Sequence, residues 1–309
     1  MYLVTGGRGF IGKDLIRRLL SDNEEVLLLS STPCNDTDIS PQISVTGTIL
    51  DTEFLNRIFS ENEITGIYHL SAISDIRRSI ADPYETFNLN VIGTVNLLEA
   101  MRRHDVKRMV FASTAAVYGN SAEPVKKESG ETIPLSPYAA SKLMAEEYCN
   151  IYSSQYGMNI KSLRYFNPYG PGMRPDSPAS VVLKFINSII SKKSPVIFGD
   201  GTQTRDFVYI NDITQASIKA MNYGEFGIYN VGTGVATPLR ELAAMIMEIT
   251  GINVSIDYQD ARIGDILHSS ADISKAKRGF GYSPEYSLHK GLNEMINALY
   301  GNELHNSSK

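Results

Sequence analysis

Cysteine is scarce in this chain, with only Cys34 and Cys149 among 309 residues. So low a count excludes a disulfide framework and points to a reducing compartment, the cytoplasm. Histidine is also thin: five copies, His69, His104, His268, His289 and His305, lie scattered. None pairs with a cysteine at zinc-ligand spacing, so no metal site is expected. Positive charge is not in surplus either. A net charge of −5 argues against a general nucleic-acid binder or a basic membrane-surface protein. No apolar run is long enough to span a bilayer, and the chain opens on a strand-like Tyr2-Leu3-Val4 without a charged leader. Neither a signal peptide nor a membrane span is therefore expected. Internal repeats and low-complexity linkers are missing too. What remains, 42% hydrophobic and 20% charged, suits a globular protein of one large or two moderate domains.

Residues 2–5 read as a short buried strand. It runs into Thr5-Gly6-Gly7-Arg8-Gly9-Phe10-Ile11-Gly12 and then a helical pattern through Leu15, Ile16, Leu19 and Leu20. Strand, glycine-rich turn and helix are the context of a dinucleotide fingerprint, because backbone amides and the helix N-terminus can approach a pyrophosphate. The spacing here is looser than the tight Rossmann triplet, and glycines alone also build ordinary turns. A second strand, Val26–Leu29, ends in Ser30-Ser31, where such folds often carry an acid for the adenosine ribose. A polar loop over 32–42, a strand near Ile43–Val45 and an amphipathic helix over 52–60 follow. Strand Gly66–Leu70 leads to the small residues Ser71-Ala72. One long helix is expected from Pro83 to Arg103, with Phe87, Val91, Val95, Leu98 and Met101 facing inward. Asn90 on that apolar face is either a satisfied core amide or a contact near the site. Strand Arg108–Ala112 runs into Ser113-Thr114, and a further strand covers Ile160–Arg164.

Ser136-Pro137-Tyr138-Ala139-Ala140-Ser141-Lys142 begins another long helix, to about Tyr156, with Ser136 as N-cap and Pro137 at the first helical position. Tyr138 and Lys142 then share a face one turn apart. A neighbouring ammonium favours a phenolate, so Tyr138 is expected to titrate below the usual value of about 10. Alternating strands and helices to residue 166 predict a doubly wound parallel sheet. The glycine loop, Ser71-Ala72, Ser113-Thr114 and Phe166-Asn167 all fall at its strand carboxyl ends, where ligands bind.

Beyond 166 the character changes. Residues 167–175 read as a turn-rich loop, 180–192 as a helix and Val196–Phe198 as a short strand. Residues 206–230 are expected to return to the first domain as strand, helix and strand. The division is a dinucleotide-binding domain over 1–166 and a smaller mixed α/β substrate-binding lobe over 167–309, ending in a loose nine-residue tail.

Thr5 to Gly12, Asn90 to Thr94, Thr114 with Tyr138 and Lys142, and Gly199 to Asp206 together resemble the extended short-chain dehydrogenases, most closely the nucleotide-sugar 4-epimerases for UDP-glucose and UDP-N-acetylglucosamine. The likeness runs from Tyr2 to about Leu299. It implies a Rossmann-type fold and a homodimer joined through helices 83–103 and 137–156. It also implies tightly held NAD, with NADP as the other form, lined by Gly6, Arg8, Gly9, Phe10, Ile11, Gly12, Ser30, Ser31, Thr48, Ile49, Leu70, Ser71, Ala72, Asn90, Ser113, Tyr138, Lys142 and Phe166. By the same resemblance Tyr138 is the catalytic base, Lys142 holds the nicotinamide ribose, and Thr114 hydrogen-bonds the reacting oxygen. A 4-keto sugar forms by loss of hydride and is reduced again on its other face. Asn167 contacts the sugar diphosphate, Val196 and Phe198 border the uracil, and Arg205 and Arg262 clamp the pyrophosphate.

Departures from the pattern narrow the chemistry. Related dehydratases follow the threonine with an Asp-Glu pair, and sugar-acid decarboxylases place a glutamate second; here stand Ala115 and Ala116. Ser269 falls where epimerases restricted to glucose and galactose have a tyrosine, which leaves room for an N-acetyl group. The expected substrates are UDP-GlcNAc and UDP-GalNAc, with UDP-Glc and UDP-Gal alongside. Arg174 resembles an arginine of uronate epimerases and makes UDP-glucuronate the second candidate; an NADP-dependent 4-keto sugar nucleotide reductase is another. Ser30 and Thr48 replace acids near the adenosine, and Arg8 stands where some relatives meet the 2′-phosphate of NADP.

Overall fold

The structure, a computed structural model, describes residues 1–33, 39, 41–173, 181–261 and 266–306. In chain order the first half contains β1 (Tyr2–Thr5), α1 (Phe10–Ser21), β2 (Val26–Ser30), β3 (Ile43–Thr46), α2 (Thr52–Glu61), β4 (Gly66–His69), α3 (Ile76–Ala81), α4 (Pro83–Phe87), α5 (Gly93–Arg103), β5 (Arg108–Thr114), β6 (Val125–Lys126), α6 (Pro137–Tyr156) and β7 (Asn159–Tyr165). The second contains β8 (Asn167–Tyr169), α7 (Val181–Ile190), β9 (Val196–Phe198), β10 (Thr204–Arg205), β11 (Phe207–Tyr209), α8 (Ile210–Asn222), β12 (Gly227–Val231), β13 (Thr237–Pro238), α9 (Leu239–Thr250), β14 (Asp257–Gln259), β15 (Ser270–Ala271), α10 (Ser274–Phe280) and α11 (Leu288–Asn306).

Seven parallel strands form the central sheet in the order β12-β7-β5-β4-β1-β2-β3. From β1 the chain first moves outward through β2 and β3, then crosses back to β4. The crevice between β1 and β4 is thus the switch point where such sheets bind ligands. Alternate strand residues feed two cores: Val4, Leu28 and Val110 pack on the α1/α8 face, and Leu3, Leu27 and Phe111 on the α2/α5/α6 face. A third core unites α7, α9 and α11 of the smaller lobe. That lobe is otherwise built from strand pairs of two or three residues: β9 with β14, β10 with β13, β8 with β11, and β15 with β6.

Four expectations need correction. The helix over 83–103 is not uniform: α4 and α5 are joined by a π-helical turn, Asn88–Ile92. One added residue rotates the preceding turn, so Phe87 is 40% exposed and Thr86 faces inward. Residues 167–169 form β8 rather than open loop, and α11 continues to Asn306 where a tail was expected. Of the returning segment, β12 completes the central sheet while β11 pairs with β8 instead.

Candidate active site

The glycine loop is shaped by close approach. Gly6 has φ of +71°, and a Cβ there would lie 2.6 Å from the Ser71 amide nitrogen. A Cβ on Gly12 would stand 2.5 Å from the Gly6 carbonyl oxygen. Only glycine lets β1, the loop and the end of β4 draw together. Gly9 caps α1 with no side-chain hydrogen bond, and the first turn holds no acid. The amides around Phe10, Ile11 and Gly12 are therefore left for an anion, which fits the pyrophosphate of a dinucleotide. Leu70, Ser71 and Ala72, all half-buried, border the same crevice, and Phe166 is buried behind it. Ser30 and the exposed Ser31 lie at the end of β2, with Arg8 reaching across to Thr32. Thr48 is exposed, its hydroxyl accepting from the Leu50 amide at 3.2 Å, whereas Ile49 is buried beneath Gly93.

Tyr138 and Lys142 rise from the first turns of α6. Ser136 Oγ caps that helix by accepting from the Ala139 amide at 3.2 Å, with Pro137 in the first turn. The helix brings Tyr138 to Thr114 at the end of β5, near enough for the Thr114 hydroxyl to act on the phenol. Burial pushes the Tyr138 phenol above its ordinary value while the neighbouring Thr114 hydroxyl pulls it down. The expected depression by Lys142 is not found: burial sets the direction, and it is upward. Lys142 is 3% exposed, and its Nζ lies 4.5 Å from the centre of the Phe111 ring. Burial pushes Lys142 down to about 8, against the negative potential of Cys149 and Glu146.

Beneath this pair lies a floor that the sequence did not reveal. Glu146, one turn beyond Lys142, is fully buried and accepts from Arg164 Nη2 at 2.7 Å and Nε at 3.0 Å. It also accepts from Ser113 Oγ, which neighbours Thr114. The Arg164 guanidinium stacks 4.7 Å over the Tyr118 ring, whose hydroxyl donates to Asn230 at 2.6 Å. On the other side, Asn90 gives its amide to the Ile73 carbonyl and to Ser141 Oγ at 2.9 Å, and accepts from the Ile73 amide. Ser141 in turn donates to the Tyr138 carbonyl at 2.8 Å. The Asn90 amide thus ties the π turn to α6 and to the Ile73 backbone. Thr94 donates to the Asn90 carbonyl at 2.6 Å and so accepts from His69 Nε2 at 3.0 Å. His69 Nδ1 then accepts from Thr5 Oγ1 at 2.7 Å. Burial, with Lys142 nearby, pushes His69 down to about 3 and keeps it neutral.

Across the cleft the residues are more loosely held. Arg205 donates from Nη1 to the carbonyls of Thr204 and Ile266 at 2.8 and 2.7 Å. Phe198 borders an open depression with Tyr258, Gln259 and Asp260, while Val196 on the same strand is 38% exposed. Asn167 opens β8, its amide donating to the Asp206 carbonyl at 3.0 Å. Ser269 is buried just before β15. Asp206 gathers this wall: its carboxylate accepts from the amides of Thr233, Gly234 and Ala271 and from the Thr233 hydroxyl. Its burial could have been suspected only from its place beside Arg205. Arg174, Arg262 and Cys34 lie outside the described residues. Among the described residues no acidic, histidine or cysteine cluster could hold a metal ion, and no helix is long and apolar enough to cross a membrane.

Comparison with known proteins agrees with this geometry. The profile of the NAD dependent epimerase/dehydratase family matches residues 2–232. A putative UDP-glucose 4-epimerase of Methanocaldococcus jannaschii is 36% identical over 304 residues, covering 98% of this chain and 99% of that protein. A UDP-glucuronate 4-epimerase of Thermodesulfobacterium geofontis is 34% identical, over 96% of this chain and 95% of its own. Among solved structures, the UDP-N-acetylglucosamine 4-epimerase of Methanobrevibacter ruminantium, in complex with UDP-N-acetylmuramic acid, superposes with a TM-score of 0.90 at 31% identity, covering 97% of this chain and 98% of that one. With its switch-point crevice, glycine cradle and tyrosine–lysine helix, this chain belongs to the NAD-dependent epimerase/dehydratase family of extended short-chain dehydrogenases.

Proposed function

We propose that this protein is a UDP-sugar 4-epimerase that interconverts UDP-GlcNAc and UDP-GalNAc, and UDP-Glc and UDP-Gal. The observation that carries the reading is Tyr138 brought to Thr114, with Ala115 and Ala116 following the threonine. The pair can take a proton from a sugar hydroxyl and give it back, while the alanines offer no acid for dehydration or decarboxylation. Bound in the crevice, NAD supplies a positively charged ring that accepts a hydride from sugar carbon 4 and returns it. The glycine loop and the first turn of α1 would hold its pyrophosphate. The neighbouring Thr114 hydroxyl favours the phenolate. Lys142 adds a cation one turn away, with Glu146 beneath it opposing loss of that charge. Phe198, Arg205 and Asn167 supply the wall for the nucleotide diphosphate.

The small Ser269 favours acetylated sugars. UDP-glucuronate is the second reading, favoured by the relative of Thermodesulfobacterium geofontis. Incubation with a panel of UDP-sugars, with products resolved by chromatography, tests these together. Epimeric pairs at equilibrium with no net change in dinucleotide absorbance are expected. Stoichiometric consumption of reduced cofactor would instead establish a reductase.

The helical face of α3–α6 carries exposed Ile80, Tyr84, Phe87, Ile92, Met144, Tyr148 and Ile151. So large an apolar patch supports a homodimer through these helices. Light scattering that gives a monomer at working concentration would refute it. A cytoplasmic location fits the low cysteine count.

A further inference from the structure

We propose that Asp206 is the positioning residue of the substrate wall. Its carboxylate latches the strip 266–271 to the turn after β12, and so fixes where the sugar nucleotide is held. The inference rests on the UDP-sugar reading above and asks what sets the shape of that wall.

Thr204, Arg205 and Asp206 carry the strip in turn. The Thr204 amide donates to the Leu267 carbonyl at 2.8 Å, and Arg205 Nη1 donates to the Ile266 carbonyl at 2.7 Å. Asp206 makes the deepest hold, since it is fully buried and its Oδ2 accepts from the Ala271 amide at 3.0 Å. Ser269 lies between these points of attachment. The same carboxylate also faces the central sheet. Oδ2 accepts from the Gly234 amide at 2.9 Å, and Oδ1 from the Thr233 amide and hydroxyl at 2.8 and 2.6 Å. The Asp206 carbonyl accepts from the Asn167 amide at 3.0 Å, at the start of β8. Asn167, Arg205 and Ser269, the residues proposed to hold diphosphate and sugar, thus converge on one buried acid.

The latch depends on both carboxylate oxygens. Its donors, three amides and a hydroxyl, are uncharged, and a buried anion is costly unless such donors fill it. The fit has no slack. A Cβ on Gly232 would stand 2.6 Å from Asp206 Oδ2 and 2.5 Å from the Ala271 Cβ. Only glycine lets the turn after β12 close on the acid. An asparagine at 206 keeps one accepting oxygen and turns an NH₂ group on two donors, so half of the latch opens. Tyr138 stands on α6, and the glycine loop is framed by β1 and β4. The loss therefore falls on substrate binding more than on proton transfer or dinucleotide retention.

The test separates binding from turnover. UDP affinity is measured by calorimetry on the dinucleotide-loaded protein, together with KM and kcat for a turned-over UDP-sugar and dinucleotide retention through gel filtration. Asp206→Asn is expected to weaken UDP binding and raise KM about ten-fold, with a smaller change in kcat and the dinucleotide retained. Thr233→Val, which removes one donor and leaves the acid in place, is expected to raise KM about three-fold, and Thr233→Ser to restore it. That pair keeps the proposal testable if the asparagine variant does not fold. KM and UDP affinity that stay within about two-fold of the parent in the variants that fold, at any cost in stability, overturn the proposal. Loss of dinucleotide in step with UDP overturns it as well, since that marks a general structural role. If the unsubstituted protein neither binds UDP nor turns over any UDP-sugar, the UDP-sugar reading itself fails and takes the proposal with it.

Discussion

Beneath Tyr138, buried polar side chains pair with one another: Glu146 with Arg164 and Ser113, and His69 with Thr5 and Thr94. Across the cleft, Arg205, Phe198 and Ser269 sit on or beside strands of two or three residues, and Arg205 is tied to backbone carbonyls. The floor hangs from the central parallel sheet, whose every strand is hydrogen-bonded to its neighbour. The wall hangs from short pairings that a few side chains can shift. The difference separates two tasks. A proton must be moved at one fixed oxygen, which demands a rigid surround. The sugar need only be fitted, which a wall of short pairings can do with few changes.

The sharpest break is at the reacting oxygen itself. Tyr138→Phe is expected to lower turnover roughly 10²–10⁴-fold, with dinucleotide still retained through gel filtration. Loss of the dinucleotide together with activity would place Tyr138 in the floor rather than the chemistry. Next comes the buried ion pair. Glu146→Leu leaves the Arg164 guanidinium unpaired and is expected to cost about 3–5 kcal/mol in urea unfolding. The double variant Glu146→Leu with Arg164→Met removes both charges and is expected to recover most of that loss. If the single variant costs under about 1 kcal/mol, the Glu146–Arg164 pair does not hold the floor together.

His69 offers a milder and pH-dependent test. His69→Gln cannot span both threonines and is expected to cost about 1–3 kcal/mol. Because burial lowers His69 from 6.5 to about 3, the unfolded chain binds the extra proton first as pH falls. Stability is therefore whole above 6.5 and declines toward 3, by up to about 1.4 kcal/mol per pH unit. Denaturant titrations across that window are expected to show a shallower slope in the glutamine variant. The smallest effect belongs to the wall. Ser269→Tyr is expected to lower kcat/KM for acetylated UDP-sugars about ten-fold relative to the non-acetylated pair. Equal loss on both classes would show that Ser269 does not gate the sugar.

Much of this molecule was legible in its residues. The alternation of strand and helix to residue 166, the glycine loop and the Ser136-Pro137 start of the long helix all rest on short-range rules. The same holds for Tyr138 and Lys142, since one helical turn relates them. Phe87 was misread because a π turn cannot be seen in a periodic pattern. Asn90 was left between two roles because its partners, Ile73 and Ser141, lie 17 and 51 residues away. Glu146 and Arg164 drew no reading of their own, because their pairing exists only once α6 and β7 pack together.

By itself, then, the sequence determined the sheet, the cradle and the face that bears the tyrosine and lysine, for these follow from neighbours along the chain. Only the tertiary structure decided that Tyr138 meets Thr114, that burial raises its phenol, and that His69 and Glu146 close the floor below. Those outcomes depend on desolvation and on contacts between distant strands. Neither quantity exists until the chain has folded.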